Sequence, residues 1–139
     1  MLDYIKAFVI MLNAHRKQKD KAGKAYFLHP YRVSKNVKDK RAKIVALLHD
    51  VLEDSNKYTL DDFHFLDKQQ KEALSLLTHK SDTDYFDYIK GIKDNVIAKT
   101  VKVEDLKDNM NIKRLNEITD EDLKRTRKYL EALTYLLES

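Results

Sequence analysis

The stretch Ala42-Lys43-Ile44-Val45-Ala46-Leu47-Leu48-His49-Asp50-Val51-Leu52-Glu53-Asp54 decides the fold. From Ile44 to Leu52 it is apolar on nearly every side, which is the composition of a buried helix, and the expectation is one continuous helix over residues 40–52. Yet four ionisable side chains crowd into its last six positions. Burying a charge without a partner is expensive, so such groups are normally paired or bound to a metal. His49 and Glu53 are four apart, as are Asp50 and Asp54, so each pair rises from one turn to the next. A buried helix ending in one imidazole and three carboxylates reads as part of a metal site, and its missing ligands must come from elsewhere in the chain.

Around that stretch, turn residues are scarce. Two glycines and one proline in 139 residues cannot supply the strand ends of a sandwich or barrel, so the expected fold is all-α. The length suits a single domain over residues 1–139, a compact multi-helix bundle with the metal site between its central helices. Without cysteine there are neither disulfides nor thiolate ligands, and nothing points to secretion. The amphipathic start, with Asp3 and Lys6, does not read as a signal peptide, and no apolar run approaches the roughly 18 residues of a membrane span. A cytoplasmic protein without a membrane partner is expected. Charge is unevenly spread: residues 1–43 hold twelve Lys or Arg against three Asp, a formal +9, while the remainder stands at −5. This reads either as a solvated basic face or as an electrostatic funnel for a polyanion beside the metal. Nucleic acid is not the expected partner, since no helix-turn-helix, zinc-finger or RNA-binding aromatic pattern accompanies the charge.

Periodicity divides the rest into helices. Residues 2–19 carry an apolar stripe of Ile5, Phe8, Val9 and Leu12, with Met11 at its edge and His15 one turn on as a packing or capping histidine. Gly23 and a dense basic run predict a loop or short hairpin over 19–28. Pro30 fits the first turn of a helix over 31–37 and leaves His29 at its entrance, either an exposed loop histidine or a ligand. Thr59 and Asp62 resemble a capping box opening a short helix over 60–66. Helices are expected at 68–79, with His79 at a surface end, and at 85–92, whose aromatic stripe suits a core or a stacking platform. In 96–115, Val96, Ile97, Val101, Val103 and Leu106 look core-like, Asp105 is wedged among them, and Asn109 shares its face. The final helix, 120–138, is expected to pack Leu123, Tyr129, Leu130, Leu133 and Leu136 inward.

The suspicious residues are then two imidazoles, His29 and His49, and two carboxylates, Asp50 and Asp105. A nitrogen and oxygen set without sulfur suits Mn²⁺, Fe²⁺, Co²⁺ or Zn²⁺. Such an ion acidifies water and polarises phosphoryl oxygens, which suits hydrolysis of a phosphate ester or anhydride. Glu53 and Asp54, one turn beyond, are placed to orient or deprotonate the attacking water.

Four segments carry a family likeness: Ala14-His15-Arg16-Lys17-Gln18; Gly23-Lys24-Ala25-Tyr26-Phe27-Leu28-His29-Pro30; Leu47-Leu48-His49-Asp50-Val51-Leu52-Glu53-Asp54; and Val101-Lys102-Val103-Glu104-Asp105-Leu106-Lys107-Asp108-Asn109-Met110. In this order the chain resembles the HD-superfamily metal-dependent phosphohydrolases, and more narrowly the small alarmone hydrolases and the hydrolase domain of RelA/SpoT-type enzymes. The resemblance implies an HD-domain bundle with His29, His49, Asp50 and Asp105 as ligands, usually of Mn²⁺. It implies Glu53 and Asp54 as the water-activating pair and Asn109 as a nucleotide contact. The implied substrate is a small phosphorylated nucleotide, (p)ppGpp, which loses its 3′-pyrophosphate to give GDP or GTP. Basic residues of the N-terminal third, Lys19, Lys21 and Lys24 among them, are expected to meet the phosphates, with Tyr26 and Lys102 as further substrate contacts. No synthetase domain follows the Asp105 segment, so hydrolysis alone is expected.

Three positions depart from the family pattern. Asp20 stands where the family carries an Arg that stacks on guanine, Ala25 replaces a proline, and Asn111-Ile112 replace Arg-Thr. Lys19 or Lys21 are candidates to replace the stacking cation, less effectively than a planar guanidinium. The alternatives are an HD phosphohydrolase of another small nucleotide (an NMP, a dNTP or ppApp) and a non-catalytic nucleotide-binding regulator.

Overall fold

A computed structural model gives the structure of the chain and describes residues 1–111, 113 and 115–138. Among them the α-helices are α1 (Leu2–His15), α2 (Leu28–Asn36), α3 (Lys40–Leu48), α4 (Val51–Asp54), α5 (Lys68–Leu77), α6 (Tyr85–Lys93), α7 (Val96–Asn109) and α8 (Asp120–Leu137). A 3₁₀ turn spans Leu60–Asp62, and an isolated antiparallel bridge joins Lys19 to Ala25. The all-α expectation holds. No described helix is long and apolar enough to cross a membrane.

Helix α3 is the hub. Its Val45, Ala46, Leu47 and Leu48 are wholly buried, and it packs against α1, α2, α5 and α7. Asp39 caps its start, accepting from the Ala42 N–H at 2.9 Å. The expected continuous helix over 40–52 is nevertheless interrupted at His49-Asp50. The Ala46 carbonyl, which would serve the Asp50 N–H in a regular helix, accepts from the His49 backbone N–H at 3.4 Å and from its Nδ1 at 2.6 Å. Asp50 takes φ −101° and ψ −5°, and α4 restarts at Val51. The side chain competes with the backbone for one acceptor and turns the chain there.

Other boundaries shift for similar local reasons. Helix α1 stops at His15, and the chain enters the expected hairpin. Gly23 has φ 82°, and Asp20 Oδ1 accepts from both the Ala22 and the Lys24 N–H at 2.9 Å. Helix α2 starts at Leu28, so His29 and Pro30 lie inside its first turn. The Thr59–Asp62 capping box is present, but the helix expected over 60–66 is a single 3₁₀ turn. Helix α5 stops at Leu77 and α7 at Asn109, both short of the expected 79 and 115; the Ile112 departure lies outside the described residues. Three apolar faces also correct the expectation. Ile5 and Val9 are more than half exposed while Ala7 and Met11 face the core, Val96 is exposed, and Leu123 and Leu130 point outward while Ala132 and Leu136 point inward.

Candidate functional site

Three elements remote in sequence meet beside α3. The first turn of α2 supplies His29, the corner after α3 supplies His49 and Asp50, and the middle of α7 supplies Asp105. Asp105 Oδ1 lies 2.8 Å from His29 Nε2 and 3.2 Å from His49 Nε2. These three buried residues form a group able to hold a metal ion, their ligand atoms all within 4.8 Å of one another. Asp50 stands at its edge, with Oδ2 3.2 Å from His49 Nε2 and 3.7 Å from His29 Nε2. The Tyr26 hydroxyl donates to that same oxygen at 2.6 Å.

The far side of each of these side chains is also committed. His29 Nδ1 meets Asp108 Oδ2 at 2.6 Å, and Arg32 grips the two oxygens of Asp108 at 2.9 and 3.1 Å. His49 Nδ1 is held by the Ala46 carbonyl. Each ring therefore turns Nε2 inward, the arrangement in which a second partner fixes a metal-ligating imidazole. Asp105 Oδ2 takes the Lys102 ammonium at 2.7 Å, and its Oδ1 accepts from Asn109 Nδ2 at 3.1 Å.

The cluster calls for positive charge. Burial opposes protonation of His29, but its hydrogen bonds to Asp105 and Asp108 raise it to about 10. Burial opposes protonation of His49 too, yet Asp50 and Asp105 raise it. Burial would raise Asp105, but Lys102 and the two imidazoles hold it well below the usual carboxylate range. Two imidazole nitrogens and a buried carboxylate converging on one point, with a second carboxylate at the edge and no sulfur, are a donor set that fits a divalent cation.

Glu53 and Asp54 sit at the exposed rim on α4 and are steered apart. Glu53 accepts from the His79 backbone N–H, and Asp54 Oδ2 accepts from Gln18 Nε2 at 3.2 Å. Partial burial followed by the nearby Asp50 charge raises Asp54; for Glu53, burial raises it against the His79 hydrogen bond. His79 is half-buried instead of lying at a surface end, with its ring stacked on Tyr88 at 4.5 Å.

A cleft of about 370 Å³ opens beside His29. Lys19, Lys21, Tyr26 and Asn109 line it, together with Asp20, Arg32, Arg125 and Tyr129. Two expected substrate contacts lie elsewhere. Lys24 is exposed and does not line the cleft, and Lys102 is buried on Asp105 with its ammonium 5.1 Å from the Tyr88 ring centroid. The sequence reading assigned no role to Asp108, Arg32, Gln18 or Arg125. Asp108 lies three residues after Asp105, a helical spacing that marks it as a neighbour on the same side of α7.

No family model matches the sequence, and no curated protein does. Six solved chains match by structure. One of them is described as a metazoan ortholog of SpoT that hydrolyzes ppGpp and plays a role in starvation responses. It superposes with a TM-score of 0.81 at 19% identity, over 100% of this chain and 87% of its own length. The bundle expected from the four motifs and the bundle observed agree, and from end to end this chain has the fold of that SpoT ortholog.

Proposed function

We propose that this chain is a metal-dependent phosphohydrolase that removes the 3′-pyrophosphate of (p)ppGpp or a related alarmone. The observation that carries the reading is the convergence of His29, His49 and Asp105, with Asp50 at their edge, on a fold shared with a protein described as hydrolyzing ppGpp. His29, His49, Asp50 and Asp105 would hold the ion, with Mn²⁺ the first candidate. When bound, it supplies Lewis acidity toward a phosphoryl oxygen.

The chain's own residues do the rest. Glu53 and Asp54, both raised above the ordinary carboxylate value by partial burial, are suited to taking a proton from the attacking water. Lys19, Lys21 and Arg32 give the cleft cationic walls for phosphates, and Asn109 bridges Asp105 to the cleft. A cysteine-free chain with this chemistry suits the cytoplasm.

Asp20 supports a second reading, in which the substrate is another small nucleotide such as ppApp, an NMP or a dNTP. It brings a carboxylate to the cleft wall, where the family resemblance implies a cation over guanine. Retention of both acids speaks against a non-catalytic regulator. The deciding experiment incubates Mn²⁺-loaded protein with ppGpp, pppGpp, ppApp, NMPs and dNTPs. Release of pyrophosphate from ppGpp, abolished by Asp50→Ala and by Glu53→Ala, is the expected result. Cleavage of another nucleotide with ppGpp untouched selects the second reading, and metal binding unaltered by His49→Ala would overturn both.

A further inference from the structure

Glu53 is held by a backbone N–H, whereas Asp54 is held by a side chain, Gln18, which is itself held by another, His15. His15 closes α1 and is wholly buried. The Gln18 backbone is pinned on both sides: its N–H donates to the His15 carbonyl at 3.0 Å, and its carbonyl accepts from the Tyr26 N–H at 2.9 Å. Only its side chain spans to Asp54, 36 residues away.

Hydrogen-bond chemistry fixes the direction of this chain. An ionised Asp54 only accepts, so the Gln18 NH₂ must face it, and Gln18 Oε1 must then face His15 Nδ1, 2.8 Å away. Nδ1 is therefore the nitrogen that carries the proton. Among the described residues His15 Nε2 is buried without a partner, which agrees: a proton there would be a donor stranded without an acceptor. An aliphatic residue would pack the end of α1 without burying an unmatched nitrogen, so packing alone does not account for a histidine here. Its ring also lies 5.0 Å from that of Tyr26, whose hydroxyl holds Asp50.

We infer that His15 and Gln18 are positioning residues. His15 Nδ1–H sets the rotamer and orientation of the Gln18 amide, and the amide aims the Asp54 carboxylate at the space in front of Asp50. This rests on the reading of Asp54 as a water-activating acid.

The test uses full-length Mn²⁺-loaded protein and whichever nucleotide the wild type cleaves. Gln18→Leu and His15→Leu each lower kcat by about 10- to 100-fold, the scale of a misaimed reacting group, with KM and calorimetric Mn²⁺ affinity unchanged. His15→Asn, whose amide NH₂ falls where Nδ1 lies, recovers most of kcat although it packs no better than Leu. Wild-type kcat in Gln18→Leu, equal losses in His15→Asn and His15→Leu, or KM and metal affinity falling with kcat would each overturn the inference. If the wild type cleaves nothing, the functional reading is at fault, and the positioning chain is judged by nitrogen-15 NMR of His15. A proton on Nδ1 in the wild type, disturbed in Gln18→Leu, supports the chain; a proton on Nε2 refutes it.

Discussion

Replacing Lys102 by Met should destabilise the metal-free protein far more than the metal-loaded one. Lys102 and Asp105 are both buried, and the ammonium lies 2.7 Å from Asp105 Oδ2. Asp105 Oδ1 keeps three donors, His29, His49 and Asn109, at 2.8, 3.2 and 3.1 Å, so the substitution strips one oxygen and leaves the other satisfied. Breaking a buried ion pair on one side costs about 3–5 kcal/mol, and the surviving donors put this case near the lower end. Loss of the contact with the Tyr88 ring adds about 1 kcal/mol. Met fills the space of the lysine stem, so no large cavity is added. A total near 4 kcal/mol corresponds to a fall in Tm of roughly 14 °C for a chain of this size. Urea unfolding in a chelator and in excess Mn²⁺ measures both states, and a bound divalent ion should recover a large part of the loss by neutralising Asp105. A double-mutant cycle with Asp105→Asn isolates the pair: the cost of Lys102→Met should largely vanish in that background. Equal costs in both backgrounds would refute the electrostatic account.

Three further outcomes are expected. His29 is raised in the folded state from 6.5 to about 10, so its contribution to stability is complete below its unfolded value and is lost as pH climbs toward the folded one. The urea midpoint of metal-free protein should therefore fall between about pH 6 and about pH 10, and a flat or rising profile would contradict the assignment. Tyr26→Phe removes the donor that holds Asp50 Oδ2, and calorimetry should show Mn²⁺ affinity reduced by about 10-fold with the far-ultraviolet spectrum unchanged. Gly23→Ala meets no neighbouring atom within 4 Å, so its cost is the backbone strain at φ 82°, about 1–2 kcal/mol by denaturant unfolding.

Some of this was legible in the sequence because buried charge is conspicuous. His49 sits inside an apolar run, Asp105 is wedged between Val103 and Leu106, and His29 is framed by three large apolar residues and the one proline, so the cost of burying them could be anticipated to bring them together. Asp108 could not be singled out the same way, since between Lys107 and Asn109 it reads as an ordinary surface acid until His29 and Arg32 arrive from α2. The resemblance implied Lys102 as a substrate contact, and the fold places its buried ammonium on Asp105. The exposed Ile5, Val9, Leu123 and Leu130 mark another limit. Periodicity identifies an apolar stripe, but which edge of it is covered depends on the angle at which neighbouring helices cross, and small residues such as Ala7 and Ala132 claim the close contacts. Asp20 suggested altered base recognition, and its carboxylate proves also to fasten the hairpin through two backbone N–H groups.

The corner at His49-Asp50 has an evolutionary side. A helix running unbroken from Lys40 to Asp54 would be the more regular structure, with the Ala46 carbonyl returned to its ordinary partner and the four-residue α4, too short to hold itself, absorbed into a longer cooperative unit. The imidazole that diverts that carbonyl is the one whose other nitrogen faces Asp105. Selection for heat resistance alone would therefore favour straightening this segment by changing His49, and the bend is a feature that stability does not ask for.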